Sequence, residues 1–544
     1  MGGFGVRGTG NHNCVSDETV DAVVVGAGPN GLVAACRLAD AGWDVCLLEA
    51  NERVGGAVAS VEHTPGYVSD LYSAFYPLAY ASPAIAPLDL GAHGLRWLRS
   101  PDPVAHLARA EDERCAVVRP RAEDTAAELE SEAPGDGEAW MRLVEQWQVV
   151  RDDVLGALFT PFPPVRNMVG LLRRLGTADA LRLARTFLLP VHRMGTELFA
   201  GESPRLLLAG NAMHADVPTV APGSGAFGWI MTMLAQEVGY PVPEGGSGQL
   251  AEALRRRAEA AGAQVVTGAR VTDVVVRGGR ALGVRTADGR RVRARRAVLA
   301  DVAAPTLYRR LLPEGTVPQR LLDELDRSFE WDLPTVKVNW ALDGPVPWRA
   351  TGAAGAGTVH LGADVDQLAS WSTSLSTGQD SPHVFQILGQ LATADPSRAP
   401  AGGQSLWGYS HLPRGAPDAG QAKALADRMH ASVEAFAPGF SERVVDRWEQ
   451  LPGELEADDA NLVEGAINGG TAQIYQQMVF RPTTGLGRPE TPVLGLYLAG
   501  AATSPGGGVH GACGANAARA ALHGAKAASL PARTMVTLTR HLTR

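Results

Sequence analysis

Three glycines and one acid have the spacing that dinucleotide chemistry needs: Gly26, Gly28 and Gly31, then Glu49 about 18 residues beyond Gly31. In that pattern Gly26 permits a tight turn. Gly28 lets a pyrophosphate approach the backbone, and Gly31 lets a helix pack closely on a strand. A helix opening at Pro29 and Asn30 offers free N–H groups and a favourable dipole to phosphates. Glu49 is placed to accept hydrogen bonds from the adenosine ribose hydroxyls. Elsewhere, His214 and Asp216 in "NAMHADVPTV" are candidates for a pair lining a cavity. Standing two apart, they would not face each other on a helix. No hydrolase triad motif, P-loop or metal cluster stands out, so no metal is expected.

These residues need particular elements around them. "DAVVVGAG" reads as a buried parallel strand, and a helix follows with Leu32, Ala35, Leu38 and Ala39 on its apolar face. "DVCLLEA" is a second buried strand, which completes a βαβ unit. The stretches around 122–158 and 167–195 carry apolar residues at three-to-four spacing and read as an inserted helical cap. From residue 243 the α/β character returns. A helix from about Gln249 is followed by the strand "AQVVTGARV", three short strands with turns at Gly278-Gly279 and Asp288-Gly289, and the buried strand "RAVLAD". "LPTVKVNWALDGPVPW" alternates. It puts Thr335, Lys337 and Asn339 on a polar face and Val336, Val338, Trp340 and Leu342 on an apolar one. Near the end, "GLYLAGAATSPGGGVHGACGANAA" gives a strand, a glycine-rich turn and a helix.

The chain has 544 residues, more than one hydrophobic core usually supports. A net charge of −9 argues against nucleic acid as a partner. Five cysteines without Cys-x-x-Cys spacing disfavour a disulfide framework and fit a reducing, cytoplasmic setting. No apolar run has the length of a transmembrane helix, and the first residues lack the apolar region of a secretory signal.

The N-terminal "VVVGAGPNGLVAACRLADAGWDVCLLEANERVGGA" resembles the phytoene desaturase-like FAD oxidoreductases, within their phytoene dehydrogenase-related branch. "TPGYVSDLYSAFYPL", "PEGGSGQLAEAL" and "YLAGAATSPGGGVHGACGANAA" extend the resemblance over nearly the whole chain. It implies an α/β fold with a glutathione-reductase-type Rossmann FAD domain, mostly parallel sheet plus β-meander. A substrate domain of mixed sheet and helical cap is interleaved with it. On this reading 19–110, 243–305 and 485–530 form the FAD domain, and 111–242 and 306–484 the substrate domain. Residues 1–18 are a disordered extension and 531–544 a basic tail. The resemblance carries non-covalent FAD onto Gly26, Gly28, Pro29, Asn30, Gly31, Glu49 and Ala50. It adds Gly55, Gly56, Ala57 and Val271, then Gly500, Ala501, Gly508, Val509, His510 and Gly511. In that reading the C-terminal helix opens after Gly508.

Lys337 and His510 are the implied catalytic candidates, Lys337 by analogy with a lysine facing flavin through water in related amine oxidases. Asp70 matches a family acid and reads as structural. Cys513 lies near the expected flavin site and reads as a buried thiol rather than a covalent anchor. Two departures stand out. Ala57 occupies a place where many relatives carry Arg, and Ser504 one where many carry His. The implied activity is dehydrogenation of an apolar metabolite by hydride transfer to flavin N5, with oxygen or a quinone as acceptor. A redox-neutral flavin-dependent isomerase and a non-catalytic flavin scaffold are the rivals. An apolar substrate also raises the expectation of peripheral contact with a membrane.

Overall fold

The computed structural model describes residues 18–415 and 418–526. The expected N-terminal extension up to residue 17 and the basic tail therefore lie outside the described residues.

A parallel core of three strands starts the first sheet. Glu18–Val25 is flanked by Val45–Leu48 and by Arg291–Ala300, and Gln264–Val266 adds the edge beyond Val45–Leu48. Val271–Arg277 and Arg280–Thr286 continue antiparallel on the other side. The sequence reading separated the third meander strand from "RAVLAD", but they form one continuous strand. Its first half, Arg291–Arg293, pairs antiparallel with the meander, and its second half, Val298–Ala300, pairs parallel with Leu496–Leu498. The break in alternation at Arg295-Arg296 hides this continuity in the sequence, because both arginines turn outward to Asp21. Helices Pro29–Asp40, Gly248–Ala260 and Ala512–Lys526 pack together over this sheet.

A second seven-stranded sheet runs in the order Val444–Gln450, Thr335–Leu342, Gln404–His411, Gln386–Gln390, Ala356–Leu361, Asp102–Leu107, Ala116–Val118. Asp102–Leu107 pairs parallel with Ala356–Leu361, so the chain passes to this sheet before residue 110. Val336, Val338, Trp340 and Leu342 pack with Met429 and Val433 of helix Ala419–Phe436. The opposite face carries Lys337 and Asn339, and the whole strand Thr335–Leu342 is buried. Buried polar side chains on a central strand need partners, and this face supplies them.

The insertion between Ala116–Val118 and residue 242 is helical: Ala122–Glu132, Asp136–Leu158, Val165–Leu188, Val191–Leu198, Ser203–Ala212 and Ser224–Val238. Trp140, Trp147 and Trp229 are buried where these helices meet, with the Trp147 and Trp229 rings edge to face at 5.5 Å. Among the described residues no helix is long and apolar enough to cross a membrane.

Candidate active site

The turn after the first strand is built from close backbone approaches. Gly26 has φ +94°, a left-handed conformation that favours glycine. A Cβ on Gly31 would stand 2.0 Å from the Gly26 carbonyl oxygen, so no other residue fits there without moving backbone. The second glycine pair folds back onto this turn: Gly55 N–H donates to Ala27 O at 2.8 Å. A Cβ on Gly56 would lie 3.3 Å from Gly28 Cα. Pro29 opens the helix, and its N-cap residue, Gly28, has no side chain to cap it. Glu49 is buried at the end of its strand. Its carboxylate accepts from Ala27 N–H at 2.7 Å and Asn51 N–H at 2.9 Å. Ala269 N–H donates to Glu49 O, which ties the segment leading to Val271 to the same corner. Ala50 and Ala57 sit half-buried beside it.

These features fit a dinucleotide. A helix start with a glycine N-cap, a cradle that only glycine backbone leaves open, and the partnerless buried Asn30 Oδ1 all converge on one corner.

Sequence reasoning passed over Asp301 at this corner. Its Oδ2 accepts from Gly31 N–H at 2.8 Å, and a Cβ on Gly28 or Gly500 would meet its carboxylate at 2.9 Å. Burial pushes its pKa up to about 7, and the charges of Asp459 and Glu49 add to that rise. The only signal was the acid ending "RAVLAD".

The glycine-rich turn at 506–508 is held from behind by Arg481, also missed. Its fully buried guanidinium donates to the carbonyls of Ala501 (2.9 Å), Thr471 (2.8 Å), Asn468 (3.0 Å), Gly469 and Gly470. A Cβ on Gly506 would approach it to 3.1 Å. Desolvation lowers its pKa to about 10, so the cation persists at neutral pH. The C-terminal helix begins at Ala512 and not directly after Gly508, because Gly508 and Gly511 have φ of +102° and +66°. His510 lies between them. Its Nδ1 accepts from Ala512 N–H at 3.0 Å, and its ring sits 5.2 Å from that of Phe159. Burial lowers its pKa to about 4, so it is a neutral acceptor at the helix start. Val509 is half-buried beside it. Cys513 Sγ lies among the carbonyls of Thr503 and Gly506, and desolvation raises its thiol pKa to about 12.

On the second sheet, Lys337 is 3% exposed. Its Nζ donates to the amide oxygens of Asn339 and Gln450 (3.2 Å for the latter). The Trp407 and Trp448 rings lie 5.6 and 5.5 Å from Nζ. Desolvation lowers its pKa to about 7, with the Arg398 charge acting in the same sense. Asp70 is structural. It accepts from Ser60 Oγ and Ser247 N–H at 2.8 Å, and the buried Arg398 stands 2.8 Å away. His214 and Asp216 do not pair. His214 Nε2 meets His360 Nε2 at 2.9 Å, whereas Asp216 pairs with His411 Nε2 at 2.7 Å and accepts from Asn468 Nδ2 at 2.8 Å. The chain reverses at Asp216, whose φ is +52°, and this separates the two side chains.

A dinucleotide corner, a glycine-rich turn backed by a buried cation, and a roofing sheet with polar groups on its inner face define the class: a two-sheet flavoprotein. The chain belongs to the flavin-containing amine oxidoreductases, whose sequence profile matches residues 30–522. It is 27% identical to the rat pyridine nucleotide-disulfide oxidoreductase domain-containing protein 2, over 94% of each chain. It is also 27% identical to a lycopene-forming phytoene desaturase of Pseudescherichia vulneris, covering 92% of this chain and 98% of that one. In fold it is similar to an oxidoreductase from Methanosarcina mazei, with a TM-score of 0.60, 16% identity, and coverage of 92% of this chain and 99% of that one. The protein is an FAD-dependent oxidoreductase.

Proposed function

We propose that this enzyme dehydrogenates a predominantly apolar metabolite. FAD, when bound at the glycine corner, supplies the two-electron acceptor for a hydride. The residues that would hold it are Gly26, Gly28, Gly31, Glu49, Gly55 and Gly56 at one end and the 500–511 segment at the other. Arg481 ties that segment, through the Ala501 carbonyl, to the carbonyls of Asn468, Gly469, Gly470 and Thr471.

Lys337 is the observation that carries the reading. Removing two hydrogens from a carbon framework as a hydride leaves a proton that needs an acceptor. Lys337 is a buried amine whose hydrogen-bond partners are neutral amides, and its pKa falls to about 7. Near neutral pH a substantial fraction is unprotonated and able to take that proton. The two tryptophans beside it exclude water and present apolar faces. The apolar character of the substrate is supported by the relative named as a phytoene desaturase.

The test is anaerobic mixing of the yellow protein with candidate alkenes and alicyclic compounds, followed by flavin absorbance. Bleaching that yields a product two hydrogens poorer supports the reading. Turnover that requires pre-reduced flavin and leaves substrate mass unchanged would replace it with isomerisation.

A further inference from the structure

A cleft of about 1070 Å³ opens on the outer side of helices Pro29–Asp40 and Ala512–Lys526, against the end of Asp136–Leu158 and the start of Val165–Leu188. Its acids are already matched: Asp40 with Arg257 (2.8 Å), Asp152 with Arg151 (2.9 Å) and Asp153 with Arg174 (3.3 Å). Four further arginines, Arg37, Arg166, Arg173 and Arg519, line the cleft with no carboxylate partner among the described residues. Arg37 donates only to the Pro83 and Ala84 carbonyls, and its buried Nε has no partner. Arg519 is pushed below the usual arginine range by desolvation and by the charges of Arg488 and Arg37. Cations crowded together without counter-charge mark a place for an anion. The floor is apolar, with Pro83, Ala84, Phe159, Ala512, Ala515 and Leu522.

Helix Val165–Leu188 gives that anion a shape. Val165 (59% exposed), Met168 (52%), Val169 (37%) and Leu172 (48%) form a row at helical spacing that faces away from the protein. At about 100° per residue, Arg166 and Arg173 lie between this row and the cleft. An apolar outer row, an arginine edge and a cationic cleft in succession match an amphiphile at a bilayer surface. The geometry points to the cleft as a site for the phosphate headgroups of anionic lipids, with the exposed row of helix Val165–Leu188 seated in the acyl boundary.

This surface is separate from Lys337 and the glycine corner, so its test does not depend on the reaction. FAD-loaded protein is sedimented with phosphatidylcholine vesicles, with and without phosphatidylglycerol. Binding should require the anionic lipid and weaken with salt. Arg166→Gln/Arg173→Gln should lower the affinity about thirtyfold, since each arginine near such a surface contributes about 1 kcal/mol. Leu172→Gln should weaken binding with the arginines intact. Flavin absorbance and melting temperature should stay at wild-type values in both variants. Inorganic phosphate that raises the melting temperature without any vesicle binding would assign the cleft to a soluble phosphorylated ligand and overturn the lipid assignment. A dimer dispersed by Leu172→Gln, again without vesicle binding, would make the row a contact between copies and overturn it equally. Equal binding to neutral vesicles would remove the role of the arginines.

Discussion

At the rim of the first sheet, contacts run mainly through backbone: Gly31 against the Gly26 carbonyl, Gly55 N–H to Ala27 O, and Glu49 gripping two main-chain N–H groups. On the inner face of the second sheet they run through side chains, most of them from segments far apart in sequence. Lys337 meets Asn339 and Gln450, His214 meets His360, and Asp216 meets His411. A backbone site tolerates little substitution at its glycines but leaves most neighbouring side chains free. A side-chain site leaves the backbone free and depends on a few polar atoms that burial has deprived of water.

The sharpest way to break this contrast is Lys337→Met. If the second sheet holds only the proton chemistry, flavin reduction by substrate should slow by about 10²–10⁴-fold while FAD affinity is unchanged. In the wild type the reduction rate should rise with pH through about 7, because the amine must be unprotonated to accept and burial has lowered its pKa to that value. Stopped-flow bleaching beside an FAD titration measures both. Equal rates in the two proteins would take the proton-accepting role away from this sheet.

Gly31→Val attacks the other region. Its Cβ would meet an immovable carbonyl, so a penalty at or above about 3 kcal/mol is expected. It should read as colourless protein after gel filtration with the second sheet's near-ultraviolet signal retained. A yellow variant would show that the helix start can shift.

Glu49→Ala should be milder. It loses one charged acceptor, about 1.5–3 kcal/mol and so roughly tenfold or more in FAD affinity by titration. Cys513→Ser should have the smallest effect. Acid precipitation should release the flavin from both proteins, since the thiol is buried with its pKa pushed to about 12. Colour kept in the wild-type pellet alone would make Cys513 a covalent anchor.

The same contrast explains what the sequence made legible. Gly26, Gly28, Gly31 and Glu49 act within one βαβ unit, so local spacing encodes their geometry. The alternation of 335–342 likewise placed Lys337 and Val336 on opposite faces. Spacing could not show that Asp216 would turn from His214 toward His411, 195 positions away, or that Arg481 would back the turn at 506–508. Those contacts depend on how two sheets and a glycine turn meet, and residue type alone carries no sign of them. The start of the last helix was misplaced for a related reason. Three glycines followed by Val-His-Gly permit either a helix or a left-handed turn, and His510 decides it by capping Ala512.

Asp301 should couple cofactor retention to proton uptake. Its carboxylate occupies a helix start toward which two phosphates would be drawn, and it titrates near pH 7 with Asp459 and Glu49 as its acidic neighbours. Because its folded pKa is raised, the folded state holds its proton below about 7 and loses it as pH climbs through that value. Phosphate charge arriving beside it would raise the pKa further, so FAD should bind with a proton and dissociate more readily in alkaline solution, by up to about tenfold per pH unit. FAD titrations across pH 6–9 should show that slope in the wild type and a flat profile in Asp301→Asn; matching slopes would relieve Asp301 of the role. A rise in the pH around this enzyme would, in that case, shift it toward its colourless form.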